Sequence, residues 1–160
     1  MAKTFEEQIG VYLDQLYSAA LCFTLDEHRA EELLQEAAIR AFHEYSGRRG
    51  DEDFRHFMLQ ILVATYLKRR RSMGSDPLAS EAVIMEEVFE TRQELPGPFP
   101  PPGSSARLFM TRWMRGVWVE LDDGDRVVLW LADIERLRHR RVAALTGLKV
   151  TEVRWRHYRA

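Results

Sequence analysis

The sequence predicts an all-α protein in which two small helical domains are joined by an acidic, proline-rich linker. Apolar residues recur at helical spacing through most of the chain. No segment alternates apolar and polar residues as a half-buried strand does. Five of the six prolines lie within 95–105, which indicates a stiff, extended connection. The predicted boundaries are 1–72 for the first domain, 73–105 for the linker and 106–160 for the second domain.

The composition indicates a globular protein without a catalytic centre. Of the 160 residues, 46% are hydrophobic and 30% are charged. The sequence has neither a run of ~20 apolar residues, as a membrane span requires, nor a secretory signal, so a cytoplasmic location is expected. Cys22 lies in an apolar helical stretch and is predicted to be a core residue. No catalytic constellation stands out and the five histidines lack zinc spacing, so we expect no enzyme activity, metal or other cofactor.

The first two helices are predicted over residues 5–23 and Glu27–Tyr45, with Asp26 as the N-cap of the second. The second helix places a row of small and apolar residues inward, from Ala30 to Phe42. Its other face is polar and carries His28, Glu31, Glu32, Gln35 and Glu36. Taken alone, such a face is an ordinary solvated surface.

A third helix is predicted to begin at Asp51 or Asp53 and to end at Arg71. Its first turn is acidic, and the basic run Lys68–Arg71 lies at its end. Both placements interact favourably with the helix dipole, so the dipole explains them without any function. The helix also has more apolar and aromatic surface than one side of a three-helix packing needs. That surplus is typical of a surface on which unpaired bases stack beside basic residues.

Beyond the linker, the second domain is predicted to contain about four helices. A short acidic helix over Glu81–Glu90 precedes the prolines, and helical spacing resumes over 106–120. Residues Asp122–Asp125 are predicted to form a turn and cap, and a helix follows over Arg126–Arg136.

The last segment, Arg138–Ala160, has the pattern of two short helices around a turn at Gly147, which permits a left-handed conformation. Between Glu135 and Ala160 there are eight Lys or Arg residues and two acids, although the whole chain carries a formal charge of −2. An anion is therefore the expected partner of this end. Two interpretations stay open from these residues alone: a DNA-binding helix-turn-helix and an ordinary basic helix pair.

Three segments together resemble the extracytoplasmic-function (ECF) class of bacterial sigma factors. Ala30–Glu36, with the sequence AEELLQE, is similar to one helix of that family and is continued by Arg40. Phe54–Ile61, with the sequence FRHFMLQI, is similar to a second helix that ends in LKRRR at 67–71. Val142–Val150, with the sequence VAALTGLKV, is similar to the family's helix-turn-helix. The order and separation of the three segments are more specific than any one of them.

The resemblance implies a transcription initiation factor that binds core RNA polymerase and directs it to promoters. Residues implied to bind the polymerase are Glu32, Gln35, Glu36 and Arg40. Residues implied to hold melted promoter DNA are Phe54, Arg55, Phe57, Lys68, Arg69, Arg70 and Arg71. Residues implied to read the upstream duplex are Thr151, Arg154 and Trp155 at bases and Lys149, Arg156 and Arg159 at phosphates.

The resemblance further implies an anti-sigma factor as partner, no membrane insertion, and a monomer when the protein is free of polymerase. An alternative function is a sigma-like decoy that binds an anti-sigma factor or the polymerase without initiating transcription. The acidity of the chain and several departures from the family pattern favour that alternative.

The departures lie in the segments that would contact the promoter. Ala64 stands where the family often has Asn, Lys68 where it has Asp, and Phe57 where it usually has Trp. Thr146 and His157 occupy positions that are usually Leu. A polar group at such a position must be satisfied or exposed. We therefore expect the C-terminal helix to pack differently, with Trp155 or Tyr158 covering the gap.

Overall fold

The computed structural model describes residues 4–45, 51–74 and 118–160. These residues are helical with no strand, so the all-α prediction is confirmed for them. The helices are α1 (Phe5–Thr24), α2 (Glu27–Glu44), α3 (Asp51–Ser72), α4 (Asp123–Leu129), α5 (His139–Thr146) and α6 (Val150–Arg159), with a π-helical turn at Trp130–Ile134 after α4. Residues 118–120 are also helical. The helix predicted at 81–90, most of the helix predicted at 106–120, and the proline-rich stretch lie outside the described residues.

The first two helices begin at side-chain caps. At α1, the Glu7 amide donates to the Thr4 hydroxyl at 3.3 Å, and the Thr4 amide donates to the Glu7 carboxylate at 2.9 Å. This reciprocal pair satisfies two of the amides that a helix start leaves without partners. At α2, the Arg29 amide donates to Asp26 Oδ1 at 2.8 Å, which confirms the predicted cap. Between them, Leu25 ends α1 in a left-handed conformation with φ of 57°.

Among the described residues, helix α3 contacts helices from both the N-terminal and the C-terminal segments. It packs against α1 and α2, and its other side contacts α5. Its fully buried residues are Phe54, Met58, Leu59, Leu62 and Val63. A helix that is apolar on most sides is buried on most sides. The apolar surplus predicted for this helix is therefore core surface, with protein on both sides.

The C-terminal helices follow the predicted order with two differences. Helix α4 begins at Asp123 with Asp122 as its cap, so Asp123 and Asp125 are helical residues and the predicted turn is shorter than expected. The predicted helix over Arg126–Arg136 widens into the π-helical turn, where the Glu135 amide donates to the Trp130 carbonyl at 3.0 Å. The predicted left-handed end of α5 is confirmed, because Gly147 has φ of 77°.

The N- and C-terminal helices share one continuous hydrophobic core. Helix α4 packs against α1, and α5 packs against α3. Val127, Val128 and Leu131 are fully buried on the C-terminal side. The division into domains at 1–72, 73–105 and 106–160 stays a prediction, because most of the linker lies outside the described residues.

Candidate functional site

The four residues predicted to bind polymerase lie together on the exposed face of α2. Glu32, Gln35, Glu36 and Arg40 are all exposed and line one shallow groove. The other lining residues are Ile39, His43 and Glu44 from α2 and Arg69 from α3. Sequence reasoning missed Ile39, whose side chain is 61% exposed in the middle of this polar surface. An apolar residue one turn after Gln35 was the signal for it.

Arg69 belongs to this groove. Its Nε lies 2.5 Å from the Glu36 carboxylate, and its Nη2 donates to the Glu32 carbonyl at 3.2 Å. The sequence had placed Arg69 with Lys68, Arg70 and Arg71 at melted DNA. In the structure it instead joins the end of α3 to the acidic face of α2, where it partly neutralises two carboxylates.

The two phenylalanines predicted to stack on unpaired bases are in the core. Phe54 is fully buried and Phe57 is 7% exposed. The Phe54 ring packs against Phe5, Tyr12 and Tyr45, with ring centroids 5.6, 6.3 and 5.9 Å away. A base has no access to these ring faces in this conformation. The expectation of an exposed aromatic surface is therefore corrected, because α3 is covered on both sides.

The basic residues of α3 face different surroundings. Arg55 Nη2 lies 3.9 Å from the Glu135 carboxylate, and Arg70 forms an ion pair with Asp123. Lys68 and Arg71 are exposed at the end of the helix. The structure therefore does not bring the seven residues predicted at melted DNA into one surface. It leaves two of the cations exposed and places Arg55 and Arg70 against C-terminal acids.

Helices α5 and α6 form the second candidate surface. Lys149, Thr151 and Arg154 are exposed, and Trp155 is half-buried. Three further exposed arginines lie at the start of α5 and in its first turn, at positions 138, 140 and 141. Sequence reasoning counted these three in the charge of the segment but did not include them among the DNA-binding residues.

Arg156 and Arg159 turn away from this surface. Arg156 is 3% exposed, and its Nη1 donates to Asp125 Oδ1 at 3.0 Å. Arg159 Nη2 lies 2.6 Å from both Asp122 and Asp125, and its guanidinium stacks 4.2 Å above the Trp155 ring. Both side chains hold α6 against the start of α4. The expected phosphate contacts of Arg156 and Arg159 are not available in this arrangement.

Two buried carboxyl groups have raised pKa values. Burial raises the pKa of Asp125, and the hydrogen bonds from Arg159 and Arg156 oppose that shift. Burial likewise raises the pKa of Glu135, against the hydrogen bonds of Gln15 and Trp130 and the charge of Arg55. At both sites desolvation outweighs the favourable hydrogen bonds and charges. The folded environment therefore disfavours the charged form of each carboxyl group.

The two polar residues at usually apolar positions are both satisfied. The Thr146 hydroxyl donates to the Val142 carbonyl at 2.8 Å. His157 lies between His139 and Asp133, with ring nitrogen contacts of 2.9 Å to each. Asp133 and His139 thus fill the place for which Trp155 or Tyr158 was predicted. The C-terminal helix accommodates a polar residue by pairing it with the end of the π-helical turn.

The described residues hold no other candidate centre. Cys22 is fully buried, and burial raises the pKa of its thiol, as the core prediction requires. Within 4–45, 51–74 and 118–160, no group of three His, Cys, Asp or Glu residues is placed to bind a metal. None of the described helices is long and apolar enough to cross a membrane.

The chain is similar to a curated protein over almost its whole length. The chain is 25% identical to the RNA polymerase sigma-H factor of Pseudomonas aeruginosa over 163 aligned positions. The alignment spans 99% of this chain and 82% of that protein. Models of known protein families give no match. Similarity that extends over both the N-terminal and the C-terminal helices suggests a factor of the sigma-70 family.

Proposed function

We propose that this protein is an ECF-type sigma factor that binds core RNA polymerase through α2 and directs it to promoters. The observation that carries the proposal is the grouping of Glu32, Gln35, Glu36 and Arg40 in one exposed groove. These residues were selected by resemblance alone, and the similarity to a sigma factor extends over the same segment. Catalysis of RNA synthesis would belong to the polymerase, so the chain itself is proposed to have no enzymatic activity.

The groove has the character of a protein-binding surface. An exposed isoleucine at its centre is surrounded by carboxylates, an amide and two arginines. Partner surfaces commonly combine an apolar centre with a polar rim. A partner helix that presents basic residues around an apolar position would match both the charge and the centre of this groove. We assign this surface to the polymerase.

The DNA-binding part of the proposal rests on α5 and α6 as a helix-turn-helix. Lys149, Thr151 and Arg154 are the predicted contact residues that are exposed. The arginines at 138, 140 and 141 extend the basic surface toward neighbouring phosphates. Base reading is therefore proposed for Thr151 and Arg154, with Trp155 at the edge of the same DNA-binding surface. An anti-sigma factor is proposed as the regulatory partner, and a monomer as the form free of polymerase.

A pull-down with purified core polymerase tests the α2 surface. Glu32→Lys with Gln35→Ala is expected to abolish polymerase binding with unchanged circular dichroism. The matched control is Asp14→Lys with Gln60→Ala, which makes the same kinds of change at exposed positions of α1 and α3. Equal binding by both double variants would contradict the assignment, and loss of helicity in the first would show that Glu32 and Gln35 are structural.

A second candidate function is a sigma-like decoy that binds polymerase or an anti-sigma factor without initiating transcription. The observation that favours it is the placement of promoter-facing residues in contacts within the chain: Phe54 and Phe57 are in the core, and Arg156 is paired with Asp125. Run-off transcription from a pool of genomic promoters separates the two functions. Transcripts that depend on this protein support initiation, and polymerase binding without any transcript supports the decoy.

A further inference from the structure

Trp155 and Arg159 form a stacked pair on α6. The Arg159 guanidinium lies 4.2 Å from the centre of the Trp155 ring, within the range of a cation-π contact. Residues four apart lie on one face of a helix, so this pair continues the face that begins at Thr151. Thr151 is one of the two residues proposed to read bases. Arg159 therefore covers part of an indole that lies next to a base-reading residue on the helix.

Two aspartates hold the Arg159 guanidinium in place. Its Nε donates to Asp125 Oδ2 at 3.0 Å, and its Nη2 donates to the Oδ2 atoms of Asp122 and Asp125 at 2.6 Å each. The other oxygens of both aspartates are also occupied. Asp122 Oδ1 accepts from the Asp125 amide at 2.8 Å as the cap of α4, and Asp125 Oδ1 accepts from Arg156 at 3.0 Å. The carboxylates that orient Arg159 are therefore themselves fixed at the start of α4.

The stack restricts the Trp155 side chain. Trp155 is half-buried, so part of its ring is open to a ligand. The edge of the Arg159 guanidinium meets carboxylates and its face meets the indole, which limits the rotamers that the indole can adopt. A side chain that is already ordered loses less conformational entropy when a ligand binds. Arg159 therefore prepares Trp155 for a contact that depends on the orientation of the ring.

We propose that Arg159 is a positioning residue that fixes the Trp155 indole against the methyl group of a thymine in the upstream promoter duplex. The major-groove edges of the bases present hydrogen-bond donors and acceptors, and the thymine methyl is the apolar group among them. An indole on a base-reading face matches that methyl. The DNA ligand rests on the proposed function, whereas the positioning rests on the observed stack. Arg159 thus acts through Trp155 and not through a phosphate.

The positioning is tested without DNA by ¹⁵N relaxation of the Trp155 indole in the full chain, with its resonance assigned from Trp155→Phe. The wild-type order parameter is expected to be about 0.85, as in a rigid backbone, and Arg159→Lys is expected to lower it below about 0.6. Lysine keeps the charge but has no planar group to stack on the ring. The matched control is Arg29→Lys at an exposed position of α2, which should leave the indole rigid. A rigid indole in Arg159→Lys would overturn the positioning role.

The thymine contact is tested on duplexes that the wild-type full chain enriches from a pool with a randomised central region. Each thymine of the enriched duplex is replaced in turn by uracil, which removes only the methyl group. One such replacement is expected to weaken wild-type binding about fourfold, as burial of one methyl-sized group implies. The same uracil should have no effect on Trp155→Ala or Arg159→Lys and should keep its full effect on Arg29→Lys. Wild-type binding that is unchanged by uracil at every position would overturn the thymine contact.

The salt dependence of binding to the same duplex separates positioning from phosphate contact. Lys149→Ala, at a proposed phosphate contact, should reduce the slope of log Kd against log salt by about 1. Arg159→Ala should leave that slope unchanged while it removes the effect of uracil, and a reduced slope would overturn the positioning role. If the wild type enriches no sequence although its indole is rigid, DNA reading in the proposed function is contradicted, and the thymine contact with it, while the positioning of Trp155 stands.

Discussion

The side-chain amide of Gln15 lies 2.8 and 2.7 Å from the two carboxylate oxygens of Glu135, which is 120 residues later in the chain. The carboxylate is buried, and the amide is the closest of its hydrogen-bond donors. This single contact joins α1 to the end of the π-helical turn. It makes the stability of the N-terminal helices dependent on a residue of the C-terminal segment.

Gln15→Ala is expected to destabilise the protein by about 1–3 kcal/mol, because it leaves a buried carboxylate with fewer donors. The measurement is the free energy of unfolding from urea denaturation followed by circular dichroism. Gln60→Ala at an exposed position of α3 is the control and is expected to change that energy by less than about 0.5 kcal/mol. Similar values for the two variants would mean that the amide contributes nothing to holding Glu135.

The stability of the protein is expected to fall as pH rises through the raised pKa of Glu135. Burial raises that pKa above the ordinary value of about 4.3, with Arg55 as the facing charge. The folded state therefore binds the proton more tightly than the unfolded state. This contribution is fully present below about pH 4 and is lost between that pH and the raised pKa.

Glu135→Gln removes this titration. The wild type should lose stability relative to the variant by at most about 1.4 kcal/mol per pH unit within the window. Asp125, whose pKa is also raised, is present in both proteins, so its contribution largely cancels in the difference. Urea denaturation at a series of pH values measures the difference, and a difference that does not vary with pH would contradict the assignment to Glu135.

Replacing Arg156 is expected to lower the stability of the protein, whereas replacing Arg154 is not. Arg156→Ala leaves the buried Asp125 with Arg159 as its remaining cation, so we expect a loss of about 3 kcal/mol in the free energy of unfolding. Arg154 is exposed, and Arg154→Ala should change stability by less than about 0.5 kcal/mol.

The recognition role of Arg154 is tested by DNA binding. If Arg154 reads a base, its replacement weakens binding to the upstream promoter element by roughly 1–3 kcal/mol and binding to random duplex much less. Anisotropy with the two duplexes measures this. An equal loss on both duplexes would restrict Arg154 to phosphate contact, and wild-type stability in Arg156→Ala would contradict its structural role.

Gly147 and Gly10 are expected to respond oppositely to alanine. Neither glycine has an atom near the place of an added Cβ, so backbone conformation decides the outcome. Gly147 has φ of 77°, and Gly147→Ala should cost about 1–2 kcal/mol. Gly10 lies within α1, and Gly10→Ala should stabilise the protein by about 0.5–1 kcal/mol. Thermal unfolding measures both, and a loss of stability in Gly10→Ala would contradict the helical assignment there.

Local sequence signals predicted the helices well, because each depends on neighbours in the chain. Asp26 caps α2 and Gly147 ends α5 at the predicted positions. The grouping of Glu32 with Gln35 and Glu36 follows from helical spacing alone. The inward orientation predicted for Phe42 was only partly correct, since its ring touches Phe5 at the edge of the core and is 55% exposed.

Contacts between distant segments were not predictable from those signals. Phe54 looked like a surface residue because its helix has more apolar area than one side of a three-helix packing needs. In the structure its ring packs against Phe5 and Tyr12 of α1 and against Tyr45, and α3 also contacts α5. Arg156 looked like one of several equivalent basic residues. Its partner Asp125 lies 31 residues earlier, and the choice between solvent and ion pair depends on how α6 packs against α4.

The π-helical turn at Trp130–Ile134 sets the rotational phase between α4 and everything that follows it. One residue in an α-helix advances the side-chain direction by about 100°. Removing one residue from this turn to restore a regular helix would therefore turn Glu135 away from Gln15, even though every contacting side chain was retained. Among related chains, the number of residues between Val128 and Glu135 should distinguish those that can form the contact of Glu135 with Gln15 from those that cannot. The spacing, more than the identity, of these residues would carry that information.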